Sequence, residues 1–197
     1  NNDDAYRTAL AWAGAGLTVA GVVDARRSAE GELPALARAS GIRIIDNALV
    51  ERTHGLRRVS GVSLHDGNGR TDRIACDTVA VSGGRDPAVA LFVQAGGRLA
   101  WNDAIAAFVP GDGGYATPAG AAAGIFGLGS ALAHGHAAGA GGNAAPAATD
   151  TRDGPLLPLW HAGGDPARSW VDRASDVTVA DVGLATREGY VSVEHYK

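Results

Sequence analysis

Apolar residues along the first half of the chain fall into alternating helical and extended periods. Ala5 to Ala15 carries helical spacing, and Leu17 to Val23 is a β-branched run ending at Asp24. A charged loop follows from Ala25 to Glu32. Pro34 suits the first turn of a helix through Ala39, with Gly41 as its C-cap. Ile42 to Ile45 predicts a short strand. Ala48 to His54, Leu56 to Leu64 and Thr71 to Cys76 predict three more, the last two flanking the hairpin signal Asp66-Gly67-Asn68-Gly69. Thr78 to Ser82 predicts a further apolar strand running into Gly83-Gly84. The order helix, strand, helix, strand, meander, strand is the second half of a nucleotide-type βαβ unit without its first strand. A β-meander in place of the next crossover helix points to the smaller dinucleotide domain of two-domain flavoprotein and disulfide-oxidoreductase folds. The expected class is therefore α/β: a Rossmann-like, glutathione-reductase-like dinucleotide-binding half with a β-meander, then a return segment and a small helical C-terminal piece.

The second half is less regular. Pro87 to Ala95 predicts a short helix closed by Gly96-Gly97, and Leu99 to Trp101 and Ala107 to Val109 predict short strands. Gly111 to Pro118 reads as a loop. Ala119 to Ala138 predicts one long helix of small residues, with Ile125, Phe126, Leu128 and Leu132 spaced for burial. Gly139 to Pro155 is low in complexity and reads as a flexible connection, followed by the apolar stretch Leu156 to His161. Thr178 opens a helix with Asp181 three residues on, the spacing of a capping box; Val182 and Ala185 fall on its inner face and Gly189 ends it. Ser192-Val193-Glu194-His195 has the form of another N-cap and first turn. The chain is expected to be a piece of a larger protein, in three parts: a degenerate nucleotide-type domain over 1–82, a return segment and linker over 83–158, and a truncated helical segment over 159–197.

Composition narrows the function. A net charge of −4 gives no basic footprint, which argues against nucleic acid as a partner. The 29 glycines, about twice the usual share, imply many tight turns or close backbone approaches. The single cysteine, Cys76, excludes an internal disulfide framework, and it reads as a buried strand residue rather than a nucleophile. Ala119 to Ala133 is the longest apolar run and is too short to cross a bilayer, so no membrane association is expected and a cytoplasmic location is the default.

Three constellations bear on chemistry. Asn1-Asn2-Asp3-Asp4 stands where a dinucleotide unit would place G-x-G-x-x-G, whose glycines let a pyrophosphate approach the helix N-terminus. Carboxylates at that end favour the helix dipole themselves and repel phosphate. Asp24 stands about where a ribose-binding acid belongs. The turn is either a structural remnant or a modified nucleotide site. Ser82-Gly83-Gly84 permits close approach of a bound cofactor, or is a tight turn needing glycine. Gly120, Ala121 and Gly124, at the head of the expected long helix, are either a dock for a phosphate or a polar ring edge, or a surface for close helix packing. No catalytic residue is assigned. His134 and His136 are two apart and point to different helix faces, so no metal site is assigned either.

Asn1-Asn2-Asp3-Asp4-Ala5-Tyr6-Arg7, Val79 to Gly84 with Asp86-Pro87, Trp101 to Pro110, and Asp176-Val177-Thr178 followed by Arg187-Glu188-Gly189 and Ser192-Val193-Glu194-His195 together resemble the α subunits of heterotetrameric sarcosine oxidases. The resemblance runs over nearly the whole chain. It implies a fragment contributing scaffold and part of an NAD site, with Ser82, Gly83, Gly84, Gly120, Ala121 and Gly124 facing the dinucleotide. It further implies FAD, FMN and tetrahydrofolate elsewhere in the parent complex, and β, γ and δ subunits as partners. The isolated piece is expected to be inactive. Amino-acid dehydrogenase relatives carry a cysteine pair just before Asp-Val-Thr that helps bind an iron–sulfur cluster. Asp172 and Ala174 hold those positions here, and neither can replace a thiolate, so no cluster is expected. The competing readings are a subunit fragment of an FAD/NAD-type amino-acid or opine dehydrogenase, and a non-catalytic subunit-docking module.

Overall fold

A computed structural model describes residues 1–67, 69, 71–141 and 154–192. The chain is mixed α/β and divides into two compact units. Unit 1 comprises Asn1–Ala48 with Thr78–Pro158, and unit 2 comprises Leu49–Asp77 with Leu159–Lys197. The meander thus groups with the C-terminal piece.

Unit 1 opens with α1 (Asp4–Gly14), β1 (Val22–Val23), α2 (Glu32–Ala39) and β2 (Ile44–Ile45). β1 and β2 pair in parallel, Val22 opposite Ile44 and Val23 opposite Ile45, so α2 is the crossover of a βαβ unit. Tyr6, Ala9, Val22, Ala29, Leu33, Ala37 and Ile42 form its core. The expected strand over Leu17 to Val23 shrinks to its last two residues. The strand expected at Thr78–Ser82 is absent: among the described residues nothing pairs with it, and Val81 is 88% exposed. Apolar character creates a strand only when a ladder partner satisfies the backbone.

Further along unit 1, α3 (Ala90–Gln94) precedes the hairpin of β6 (Gly97–Asn102) and β7 (Ala107–Gly113). Trp101 lies opposite Phe108, with ring centroids 5.1 Å apart edge to face. The long helix expected over Ala119 to Ala138 is two elements. Gly120–Ala123 is a single 3₁₀ turn, and α4 spans Leu128–Gly139. Gly124 breaks the run at φ +82°, and a Cβ there would press on Val109 and Ile105 at 2.9 and 3.1 Å. The low-complexity connection falls mostly on residues 142–153, outside the described residues.

Unit 2 contains a three-stranded sheet in the order β3 (Ala48–His54), β4 (Gly61–Asp66), β5 (Thr71–Ile74). Val62 pairs with Ile74 and His65 with Thr71, so the hairpin forms where the Asp-Gly-Asn-Gly signal lies. β4 begins at Gly61 rather than Leu56. Gly55 sits at φ +127°, where a Cβ would collide with the Arg58 carbonyl, and Ser60 donates its N–H to the His54 carbonyl. The segment between them is therefore a turn. The second hairpin joins β8 (Trp170–Asp172) to β9 (Val177–Thr178), which leads into α5 (Val179–Arg187). The capping box is present: Thr178 Oγ1 accepts from the Asp181 N–H, and Asp181 Oδ2 accepts from the Thr178 N–H at 2.8 Å. Val182 and Ala185 are half-buried, and Gly189 follows at φ +86°. The expected turn from Ser192 lies largely outside the described residues. Among the described residues, no helix is long and apolar enough to cross a membrane.

Candidate functional site

The N-terminal turn is sealed by its own side chains. Asp3 and Asp24 are each 2% exposed and Arg26 is 7% exposed. Asp24 follows β1, at the carboxyl end of the strand where a nucleotide fold meets its ligand. Arg26 Nη2 donates to Asp24 Oδ2 at 2.8 Å and to Asp3 Oδ1 at 2.6 Å. Tyr6 Oη donates to Asp24 Oδ2 at 2.7 Å, and the guanidinium lies 5.9 Å from the Tyr6 ring centroid. Burial opposes ionisation of Asp24, but the hydrogen bonds from Arg26 and Tyr6 outweigh it and hold the carboxyl below its usual range. Burial and the bond to Asp24 push the Tyr6 phenol up. Among the described residues no buried side-chain nitrogen or oxygen lacks a partner. A dinucleotide does not fit this turn. The acid that would hold a ribose is committed to Arg26, and a carboxylate occupies the helix end a phosphate needs.

Beside this cluster lies an open patch. Asn2 Oδ1 accepts from the Asp4 N–H at 2.9 Å, an Asx turn leading into α1, and from Ser82 Oγ at 2.8 Å. Asn1 Nδ2 donates to the Gly83 carbonyl at 3.3 Å. The Ser82 hydroxyl is therefore spent on the protein itself. Gly83 and Gly84 are exposed; nothing lies within 4 Å of a Cβ on Gly83, and Gly84 sits at φ +102°. Among the described residues no acceptor bonds either N–H.

Arg85, which the sequence reading passed over, ties this patch to the second predicted one. Its Nη2 lies 2.7 Å from Asp4 Oδ2, its Nη1 donates to the Phe126 carbonyl at 3.1 Å, and its guanidinium lies 5.8 Å from the Phe126 ring centroid. Buried Pro87 sits 3.9 Å from where a Cβ on Gly124 would lie. The segments 82–87 and 124–126 are thus brought together. Gly120 differs from expectation. It is buried at φ +60°, and its N–H donates to His134 Nδ1 at 3.0 Å. Neither it nor Ala121 heads a long helix, since α4 starts at Leu128. A four-residue 3₁₀ turn supplies too few aligned dipoles to attract an anion.

In unit 2, an open cleft of about 690 Å³ is lined by Arg52, His54, Gly163, Asp165 and Arg168 among others. None of these residues was singled out from the sequence. Asp172 Oδ1 accepts from the Ala174 N–H at 2.8 Å and Oδ2 from Ser175 Oγ at 2.9 Å. The pair closes the β8–β9 turn. Cys76 is half-buried and unpaired with any other cysteine. Among the described residues, no group of three or more His, Cys, Asp or Glu is placed to hold a metal.

Comparison with known proteins gives a consistent result. Residues 166–197 match the family model of the sarcosine oxidase A3 domain. The chain is 35% identical over 98% of its length to sarcosine oxidase subunit alpha of Rhizobium meliloti (strain 1021), covering 20% of that protein. It is 36% identical over its full length to sarcosine oxidase subunit alpha of Corynebacterium sp. (strain P-1), covering 22% of it. The chain therefore spans about a fifth of the length of these relatives. Among solved structures, L-proline dehydrogenase from P. horikoshii matches 91% of this chain and 39% of its own, with a TM-score of 0.44 and 18% identity.

Proposed function

We propose, from the premise that this chain is a stretch of a sarcosine oxidase α subunit, that it builds one wall of that subunit's NAD site and performs no chemistry itself. The reaction served is oxidative demethylation of sarcosine to glycine. Its one-carbon unit passes to folate or leaves as formaldehyde, with electrons delivered to oxygen to give hydrogen peroxide. Flavins on the remainder of the complex supply the redox chemistry. The residues that fit a dinucleotide here are Gly83, Gly84 and Arg85, at the open patch.

The observation that carries this reading is the contrast between two sites in unit 1. The N-terminal crevice is closed by Arg26. In the patch beside it, among the described residues, the Gly83 and Gly84 N–H groups have no acceptor, and Arg85 follows them in the chain. Backbone donors flanked by positive charge suit a pyrophosphate or a carboxamide edge. Arg85 is shared with Asp4, which lowers its net positive field but fixes its orientation. Ser82, Gly120 and Ala121 then act as support rather than contacts, while Gly124 lets Ile105, Val109 and Pro87 close behind the patch.

The test uses the full-length subunit assembled with its partners. Gly83→Val is expected to lower NAD content while sarcosine turnover by the flavins and assembly of the complex persist. Loss of assembly with unchanged NAD content would instead support a docking module. Iron-linked visible absorbance in the intact complex, tracking activity, would support the dehydrogenase reading.

A further inference from the structure

Three segments distant in sequence meet at Arg26. Its Nη1 donates to the Pro155 carbonyl at 3.3 Å, while Nη2 reaches Asp3. The other Asp3 oxygen accepts from the Gly154 N–H at 2.6 Å. Gly154 is held closely: a Cβ there would lie 3.1 Å from Arg26 Nη1 and 3.2 Å from Asp3 Oδ2. Three residues on from Gly154, the chain meets the same turn again. The Leu157 N–H donates to the Asn1 carbonyl at 2.9 Å, and Asn1 Nδ2 donates to the Leu157 carbonyl at 3.1 Å. Asn1 and Asn2 in turn hold the carbonyls of Gly83 and Ser82. Leu156 packs 3.6 Å from where a Cβ on Gly84 would lie.

We propose that Arg26 is a positioning residue. It is an internal guanidinium that takes a ligand's place in unit 1's own nucleotide crevice, and through Asp3 and the 154–157 segment it fixes the wall formed by Ser82, Gly83 and Gly84. The planar fork is essential to the role. One edge binds Asp24 through Nε and Nη2, Nη2 also reaches Asp3, and Nη1 is left for Pro155. A lysine keeps the charge but cannot span all three directions. The cation also cancels one of two buried carboxylates that would otherwise repel each other across the crevice. The effect on dinucleotide binding rests on the function proposed above; the clamp itself does not.

The experiment compares Arg26→Lys, Asp3→Asn and Arg26→Met in the full-length subunit assembled with its partners. It measures hydrogen exchange at the Gly154 and Leu157 amides alongside the dissociation constant for NAD. Arg26→Lys is expected to speed exchange at both amides and to weaken NAD binding, each by roughly tenfold, the loss of about one charge-assisted hydrogen bond. Asp3→Asn turns one of the two accepting oxygens into a donor that faces either Arg26 Nη2 or the Gly154 N–H, so it is expected to speed exchange at Gly154 at least as much as Arg26→Lys does. If Arg26→Met fails to fold, the two milder variants decide the matter. Exchange unchanged in Arg26→Lys overturns the clamp. Accelerated exchange with unchanged NAD affinity leaves the clamp standing and removes the 82–84 wall from the dinucleotide site. Absence of NAD from the unmodified complex counts against the proposed function alone.

Discussion

Unit 1 holds two sites side by side with opposite characters. The Asp3–Asp24–Arg26–Tyr6 cluster is buried, charged and internally hydrogen-bonded, while the Gly83–Arg85 patch is exposed and, among the described residues, its two glycine N–H groups have no acceptor. The first sits where a nucleotide fold ordinarily binds, and the second where a return segment merely changes direction. The side chains that fill the first are committed to one another, so its polar groups are structural. Buried ion pairs seldom add net stability over apolar packing, but breaking one is costly because the remaining charge is stranded. The sealed site should therefore resist substitution strongly, and the open one should tolerate it.

The largest expected effect is that of Arg26→Met. Two buried carboxylates lose their shared cation, and unit 1 should lose about 3–5 kcal/mol of stability. Denaturant unfolding of the subunit measures this. A loss no larger than that of an ordinary surface variant would erase the contrast between the sites. Acid should act in the same direction. Asp24 is held below its ordinary range in the folded chain, so its contribution is present above the unfolded value near pH ~4. That contribution is lost as pH falls through the folded value. Asp24→Asn should flatten this acid limb in a stability–pH profile. An acid limb unchanged in Asp24→Asn would assign acid sensitivity to other carboxylates.

Tyr6→Phe sharpens the comparison at intermediate size. It removes one hydrogen bond to a buried carboxylate but keeps the ring in the core, and Arg26 still satisfies Asp24. The expected cost is about 1–2 kcal/mol. A cost equal to that of Arg26→Met would make the phenol, rather than the guanidinium, the cluster's organiser.

Local signals in the sequence survived the fold well. The capping box at Thr178 and Asp181, the turn after Asp66 and the facing strands around Trp101 and Phe108 are each written within a few residues. Contacts between distant segments did not show. Arg26 lay inside a charged loop, and its partners Asp3 and Pro155 are 23 and 129 residues away. Nothing local marks Arg85, whose partners Asp4 and Phe126 are distant in sequence. Helical composition also misled over Ala119 to Ala138. The small residues favour a helix, but Gly124 turns left-handed at φ +82° where Ile105 and Val109 leave no room for a Cβ, and no local propensity reveals those neighbours. Likewise, Thr78 to Ser82 has the residues of a strand and lacks a neighbour. Charge at a helix end is a local property, so the acids near the first helix are legible in the sequence. That Asp3 faces a buried arginine is not.

The smallest effect is the most discriminating. Gly83→Ala adds one methyl group where no atom lies within 4 Å, and its backbone is outside the left-handed region. Stability should stay within about 0.5 kcal/mol of the parent value. Gly84→Ala adds a methyl facing Leu156 at ordinary contact distance but must hold φ +102°, a conformation costing on the order of 1 kcal/mol or more outside glycine. The two variants separate backbone strain from surface occupation. If the open patch contacts a dinucleotide, Gly83→Ala weakens NAD binding in the assembled subunit at no cost to melting temperature. Gly84→Ala lowers both. Equal NAD affinity in Gly83→Ala and the parent would mean the methyl meets only solvent, and the contrast would then lie between a sealed crevice and an ordinary exposed turn.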